Sequence, residues 1–323
     1  MKSILGIGNA LTDVLAVLPD DSLLETYHLP KGSMQHVDME TGDRIWEHLK
    51  QHDVKYVPGG SAANTITCTS IFGMPSGYIG KVGNDELGSL YQSSMEQFGV
   101  KTHMLVGTKS SGRCNAFITG ANAERTFATY LGAALELTPE DLKPEQFEGW
   151  DYFHIEGYLV QNQELISKAV HMAKAAGCIT SLDMASYNVV ESNNAFLHNL
   201  VDRYIDIIFA NESEAKAFTQ MEDPHEALAE IAKYCSVAIV KVGKDGSWVR
   251  SGDEEHFIKA WPATPIDATG AGDTYAAGFL YGLCHKKSIL ECGEVASYLA
   301  GEIIQQVGAQ FTCKRGEGSL ARF

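Results

Sequence analysis

Apolar residues gather along this chain in short runs that stop at glycine or a polar residue, the pattern of strands buried on both faces of a parallel sheet. The opening run, SILGIGNALTD (3–13), is expected to be the first core strand and to deliver Asn9 and Asp13 to a sheet edge at its carboxyl end. Further buried strands are predicted at SGYIGKVG (76–83), YFHIEG (152–157), ITSLDMA (179–185), IDIIFAN (205–211) and VAIVKVG (237–243). Helical patterns separate them. NQELISKAVHMAKAAG spaces Leu165, Ala169, Met172 and Ala173 on one face and stops at Gly177, while NESEAKAF and PHEALAEIAKYC open on helix-start residues. From about residue 50 onward, strand and helix alternate, which predicts an α/β fold with a mostly parallel sheet covered by helices on both faces.

Two stretches break that rhythm. Residues 14–37 hold VLAVLPDD and KGSMQHVD, and residues 104–131 hold RCNAFITG and RTFATYL flanking ANAE, as strands flank a hairpin turn. They are expected to form short antiparallel strands of a small β lid, with 1–13, 38–103 and 132–323 forming one large domain. The tail CKRGEGSLARF has no apolar period and is expected to be a frayed end.

Composition narrows the function. The 323 residues are 45% hydrophobic and 20% charged, ordinary for a globular protein, and the net charge of −16 argues against nucleic acid or anionic membrane as a partner. Seven cysteines, with no C-x-x-C, fit a reduced, cytoplasmic setting rather than a disulfide framework or zinc site. No run approaches the length of a membrane span.

Chemistry concentrates in two glycine turns. IDATGAGDTYAAGFLYGL (266–283) runs from a polar glycine turn straight into a helix pattern. The N–H groups of Gly270, Ala271 and Gly272 can converge there on an anion, helped by about half a positive charge from the helix macrodipole. Asp273 in the first turn could accept a proton from an attacking hydroxyl, or serve as an ordinary helix cap; Asp267 and Thr269 complete the string and favour the first role. In VPGGSAANTITCTS (57–70), two glycines and Asn64 open a second helix, suiting close approach to a polyhydroxylated acceptor. Other motifs are missing: GIGNAL lacks the third glycine of a dinucleotide turn, and neither a P-loop nor a G-x-S-x-G elbow occurs. The paired acids Asp20 and Asp21 read as a solvated turn.

The pair GGSAAN and DATGAGDTYAAGF resembles the PfkB, or ribokinase-like, family of ATP-dependent carbohydrate and nucleoside kinases, over nearly the whole chain. GIGNALTDV, ANESEA and AGEIIQQVGA are most similar to its adenosine kinase branch. The resemblance implies a ribokinase-like sheet with a β lid over the acceptor, ATP on the large domain, and Mg²⁺, with a monovalent cation such as K⁺ as a further candidate. It implies transfer of the γ-phosphate to a primary hydroxyl, adenosine being the first candidate acceptor and a free sugar the second. A non-catalytic nucleoside- or sugar-binding protein is the alternative of another class, and a monomer or homodimer is expected. Asp273 would be the base and Gly270, Ala271 and Gly272 the anion hole. Asp13, Gly60 and Asn64, with Asn9 alongside, would hold ribose hydroxyls; Met34 and His36 stand where that branch brackets the purine, Tyr158 where it stacks an aromatic, and Arg125 could reach the phosphates. Asn211 and Glu214 would organise Mg²⁺ and phosphate through water, and Lys241, Gly243, Gly246 and Thr269 would lie at the nucleotide.

Overall fold

A computed structural model describes residues 2–119, 124–312 and 320, without the side chains of Met34, Glu124 and Arg125. Its strands, in chain order, are β1 (Ile4–Ile7), β2 (Leu11–Val17), β3 (Met34–His36), β4 (Val54–Gly59), β5 (Ser76–Val82), β6 (Lys101–Val106) and β7 (Gly112–Thr119). They continue as β8 (Glu124–Tyr130), β9 (Tyr152–Glu156), β10 (Ile179–Asp183), β11 (Ile207–Asn211), β12 (Val237–Lys241), β13 (Gly246–Ser251) and β14 (Glu254–Lys259). Among the described residues nine of them form one sheet, ordered β14-β13-β12-β11-β10-β9-β1-β5-β6, parallel from β12 through to β6 and antiparallel at β12/β13 and β13/β14. The apolar runs read from the sequence supply its centre.

Both faces of that sheet are covered, which is why its strands are apolar at consecutive positions rather than at alternate ones. Ile4, Tyr78, Phe209 and Ile239 point to one side, against the helices Ser61–Ile71, Ala271–Cys284 and Ile289–Ile303. Leu5, Ile7, Phe153, Leu182, Ile208 and Val240 point to the other, against Gln163–Ala175, Tyr187–Tyr204, Glu212–Thr219 and Pro224–Ile231. Gly6 sets one distance in this arrangement: a Cβ there would lie 2.4 Å from Ile66, so the glycine lets the Ser61 helix lie down on β1.

The opening run is not one strand. It breaks at Gly8 and Asn9, and Leu11–Val17 enters a second sheet ordered β3-β8-β7-β2-β4. Asn9 thus follows the carboxyl end of β1, whereas Asp13 belongs to the second sheet. That sheet differs from expectation in three further ways. It includes β4, from a stretch assigned to the large domain; residues 104–106 leave it for β6; and β2/β7 and β3/β8 pair in parallel, only β2/β4 and β7/β8 being antiparallel. The strands come from distant parts of the chain, so their direction is set by crossovers, which local turn signals do not report. Residues 121–123 of the expected ANAE turn, and 313–319 and 321–323 of the tail, lie outside the described residues.

One face of the second sheet packs under the helix Met39–Leu49 through Val14, Ala16, Phe117 and Ala128. Arg113 is buried there between the rings of Trp46 and Tyr130, each 5.0 Å away, and paired with Asp43. The opposite face carries Leu15, Ala116, Ile118, Val57 and Phe127, and by register Asp13 beside Cys114.

The helix Ala271–Cys284 is held by close contact with Ile289–Ile303: a Cβ on Gly278 would lie 2.7 Å from the Ala296 Cα. Gly278→Val is expected to force the pair apart at a cost of about 1–3 kcal/mol. Thermal denaturation should show the loss, with activity falling in step because this helix starts at the candidate site.

Candidate active site

The carboxyl ends of the parallel strands converge on one spot, as is general for α/β sheets. Asn9 follows β1, Glu156 ends β9, Asp183 ends β10, Asn211 ends β11 and Lys241 ends β12. Over them lie the starts of the Ser61 and Ala271 helices.

Gly270 caps the Ala271 helix with φ of 76°, and a Cβ there would lie 2.6 Å from Ala309, so only glycine makes this turn. Asp267 fixes the turn from inside. Its carboxylate accepts from the N–H and hydroxyl of Thr269 at 3.0 and 2.6 Å and from the Gly308 N–H at 2.7 Å. Thr269, expected at the nucleotide, is bonded within the turn itself. Ala271 departs from the expected trio, because its N–H donates to the Ala268 carbonyl at 3.2 Å. Among the described residues no backbone acceptor takes the Gly270 or Gly272 N–H.

Asp273 is gripped from across the cleft. Ser61 Oγ donates to its Oδ1 at 2.8 Å and Asn64 Nδ2 to its Oδ2 at 2.8 Å, while the Thr65 hydroxyl donates to its main-chain carbonyl at 3.1 Å. A carboxylate oxygen accepts more than one bond, so both retain capacity for a substrate hydroxyl. Burial pushes the acid up to about 6; the Asp183 charge adds to this, and the donors Asn64 and Ser61 with Lys241 act against it.

Gly60, with φ of 92°, turns β4 into the Ser61 helix, and a Cβ there would lie 2.4 Å from the Asn9 carbonyl. Asn9 does not face open space. Its N–H and Nδ2 donate to Glu156 Oε1 at 3.2 and 2.7 Å, and the Ala62 N–H donates to Oε2 at 3.2 Å. Glu156 thus ties the turn after β1 to the turn after β4. Its burial, opposed by those donors, raises the acid to about 7. Gly8 leaves it room, since a Cβ there would lie 2.5 Å from Oε2.

Lys241 stands at the centre. Its ammonium donates to Asp183 Oδ2 at 3.2 Å and lies 3.1 Å from where a Gly272 Cβ would be. Burial opposes its charge, yet Asp183 and Glu214 outweigh burial and hold it above its usual value. Asn211 and Glu214 form a capping box: Asn211 N–H and Nδ2 each donate to Glu214 at 2.7 Å, and the Glu214 N–H returns a 2.9 Å bond to Asn211 Oδ1. Burial, then the Asp183 charge, raises Glu214 to about 7.

The remaining expected residues are more scattered. Asp13 packs its carboxylate against Gly59. His36 is exposed on β3 opposite Thr129. Tyr158 is half-buried past β9, its phenol raised to about 12 by burial and then by Glu156, Glu214 and Asp183. Gly243 and Gly246, with φ of 55° and 132°, shape the turn from β12 to β13. The Met34 and Arg125 side chains lie outside the described residues. Sequence reasoning missed Ser61, Glu156 and Asp183. Glu156 and Asp183 carried the same signal as Asn9, a polar residue where an apolar strand stops, whereas Ser61 lay inside a motif read only for its glycines and amide.

A carboxylate held by two donors at the start of a glycine-capped helix and flanked by a partly buried lysine suits phosphoryl transfer to an alcohol group, and the family of this chain is one of phosphotransferases acting on an alcohol. The chain belongs to the pfkB family of carbohydrate kinases, whose family model matches residues 34–315. It is similar to the crystal structure of adenosine kinase from Sinorhizobium meliloti, 32% identical with a TM-score of 0.87, covering 99% of this chain and 98% of that one. A probable sugar kinase from Rhizobium etli is 29% identical with a TM-score of 0.88, covering 99% and 98%. Saccharomyces cerevisiae adenosine kinase is 28% identical, covering 96% of each chain. The fold is the ribokinase-like one of these structures.

Burial holds the folded-state pKa of Asp273 at about 6, above its ordinary value of 3.8, so ionising it destabilises the folded protein increasingly as pH rises between those values. Asp273→Asn is therefore expected to raise Tm relative to the parent at pH 8, with the gain fading below pH about 4. Paired thermal melts across pH measure this; a gain that grows toward acid would contradict the assigned shift.

Proposed function

We propose that this chain is an adenosine kinase, moving the γ-phosphate of ATP to the 5′-hydroxyl of adenosine to give AMP and ADP. The observation that carries the reading is the placement of Asp273, held by Ser61 and Asn64 beside the Gly270 turn. The near full-length likeness to adenosine kinases from several organisms supports the acceptor.

The acceptor hydroxyl donates to Asp273, which takes its proton as the new O–P bond forms and the bond from the γ-phosphorus to the ADP oxygen breaks. Charge on the transferring group meets the Gly270 and Gly272 N–H groups, the helix macrodipole and the Lys241 ammonium. Asn64 both steers the base and stands at the acceptor turn with Gly60. Tyr158 flanks the purine. Asp13 approaches the ribose from the second sheet, which acts as the lid, with Met34, His36 and Arg125 on its strands.

The donors suit magnesium held through water. Glu214 and Asp183 offer hard oxygen atoms, yet among the described residues no three acidic, His or Cys groups sit close enough to hold an ion unaided. Asn211 and Glu214 would hold it from the protein side, and the ion would neutralise charge on the β- and γ-phosphates.

Purified protein with Mg-ATP and a panel of nucleosides and free sugars should phosphorylate adenosine best. Asp273→Asn should lose at least about 10³-fold in kcat. Because the base must be ionised, kcat should rise with pH through about 6 and level off above it. Preference for a free sugar would move the chain to the sugar kinase branch, and binding without ADP formation would make it a binding protein.

Among the described residues the second sheet has its larger core on its helix side and a small cluster of Leu15, Ala116 and Ile118 on the other, so its seating should depend on what bridges it to Gly60 and Asn64. Hydrogen exchange should show the amides of β2 and β7 protected by adenosine more than by ATP alone. Equal protection by ATP would mean that the acceptor does not close the site.

A further inference from the structure

The segment 304–311 passes behind both glycine turns. The Ile304 carbonyl accepts from the N–H groups of Ile266 and Asp267 at 2.7 and 3.1 Å, the Gly308 N–H caps Asp267 at 2.7 Å, and Ala309 fills the space over Gly270. Phe311 then anchors in the core, edge-on to Phe72 at 5.7 Å. Between these contacts the Gln310 side chain reaches to the other turn. Its Nε2 donates to the Pro58 carbonyl at 2.7 Å and to Asn64 Oδ1 at 3.1 Å.

The direction of this chain of bonds is fixed at both ends. A proline carbonyl can only accept, so Gln310 must present its NH₂ there; that NH₂ requires the Asn64 oxygen, and leaves the Asn64 NH₂ for the Asp273 carboxylate. Without Gln310 the carboxylate alone would hold the Asn64 amide in this sense, and only while ionised: a protonated Asp273 can donate to the Asn64 oxygen, so the amide could turn over and hold the acid in its protonated form.

We infer that Gln310 is a positioning residue for the catalytic base, acting through Asn64 by fixing which end of that amide meets Asp273. The inference rests on the reading of Asp273 as the base. The groups that face Asp273 are Ser61 and Asn64 from their helix, Glu156 from β9, Asp183 from β10, Lys241 from β12 and Glu214 from the Glu212 helix. Only the amide of Asn64 has an orientation that Gln310 sets.

The experiment is a cycle of Gln310→Leu, Asn64→Ala and the double variant in the full chain, with Gln310→Met as a second, unbranched replacement should the leucine unfold. Gln310→Leu is expected to lower kcat about tenfold, the size of one hydrogen bond beside a charge, and to move the acid limb of the pH profile up by roughly half a unit. In the Asn64→Ala background it should cost nothing more. Gln310→Glu, which once ionised can only accept, should be worse than the leucine. The Asp273 carboxylate is also titrated directly, by infrared difference against Asp273→Asn, and its midpoint should rise in Gln310→Leu whether or not turnover depends on it. If Asp273→Asn stays active, the base assignment fails while this titration still judges the role of Gln310. An unmoved midpoint and acid limb, with equal losses in both backgrounds, would overturn the proposal and leave Gln310 a structural brace.

Discussion

Like charges crowded around one partly buried lysine set the terms for the rest of this structure. Glu156, Asp183, Glu214 and Asp273 come from separate elements, and all but Glu156 act directly on Lys241. Burial raises Glu156 and Glu214 to about 7 and Asp273 to about 6, so each is costly to ionise where it stands. A chain can hold such a cluster only on a scaffold made rigid by other means. The parallel sheet supplies it, with both faces closed by helices and its strand ends meeting at one place.

The cluster also explains why the glycine turns are tied together. Asp273 starts one helix, and its partners Ser61 and Asn64 start the other. Glu156 in turn holds the Asn9 and Ala62 N–H groups, fixing the second turn to β1, while Asp267 and Ala309 fix the first. Movement of either turn would break charge-assisted bonds in a place where water is scarce, so the two behave as one unit.

Much of this was legible in the sequence, for reasons that differ by element. The parallel strands show because burial on both faces leaves unbroken apolar runs, and Asp273 and Asn64 show because each follows glycines that only a tight turn requires. β4 was hidden: VKYVPG has little apolar contrast and reads as the approach to GGSAAN. β2 was hidden by its neighbour, since SILGIGNALTD looks continuous until the chain is seen to change sheets at Gly8 and Asn9. The parallel pairings of β2 with β7 and β3 with β8 join segments too far apart for any local pattern to report. Gln310 is the extreme case, because its partners lie 252 and 246 residues away and an isolated glutamine in VGAQF carries no local signal.

On the proposed chemistry, the number of donors around Asp273 is itself part of the design. A buried carboxylate with no partner would stay protonated at neutral pH and could not take a proton. One held by many N–H groups would be ionised but too weak a base to assist the hydroxyl. Ser61 and Asn64 supply one bond to each oxygen, Lys241 pulls the same way, and Asp183 pushes back. The balance leaves the acid near 6, mostly ionised at neutral pH yet still basic. Magnesium and the phosphates would bring further charge, but the base is already poised by groups of this chain before either arrives.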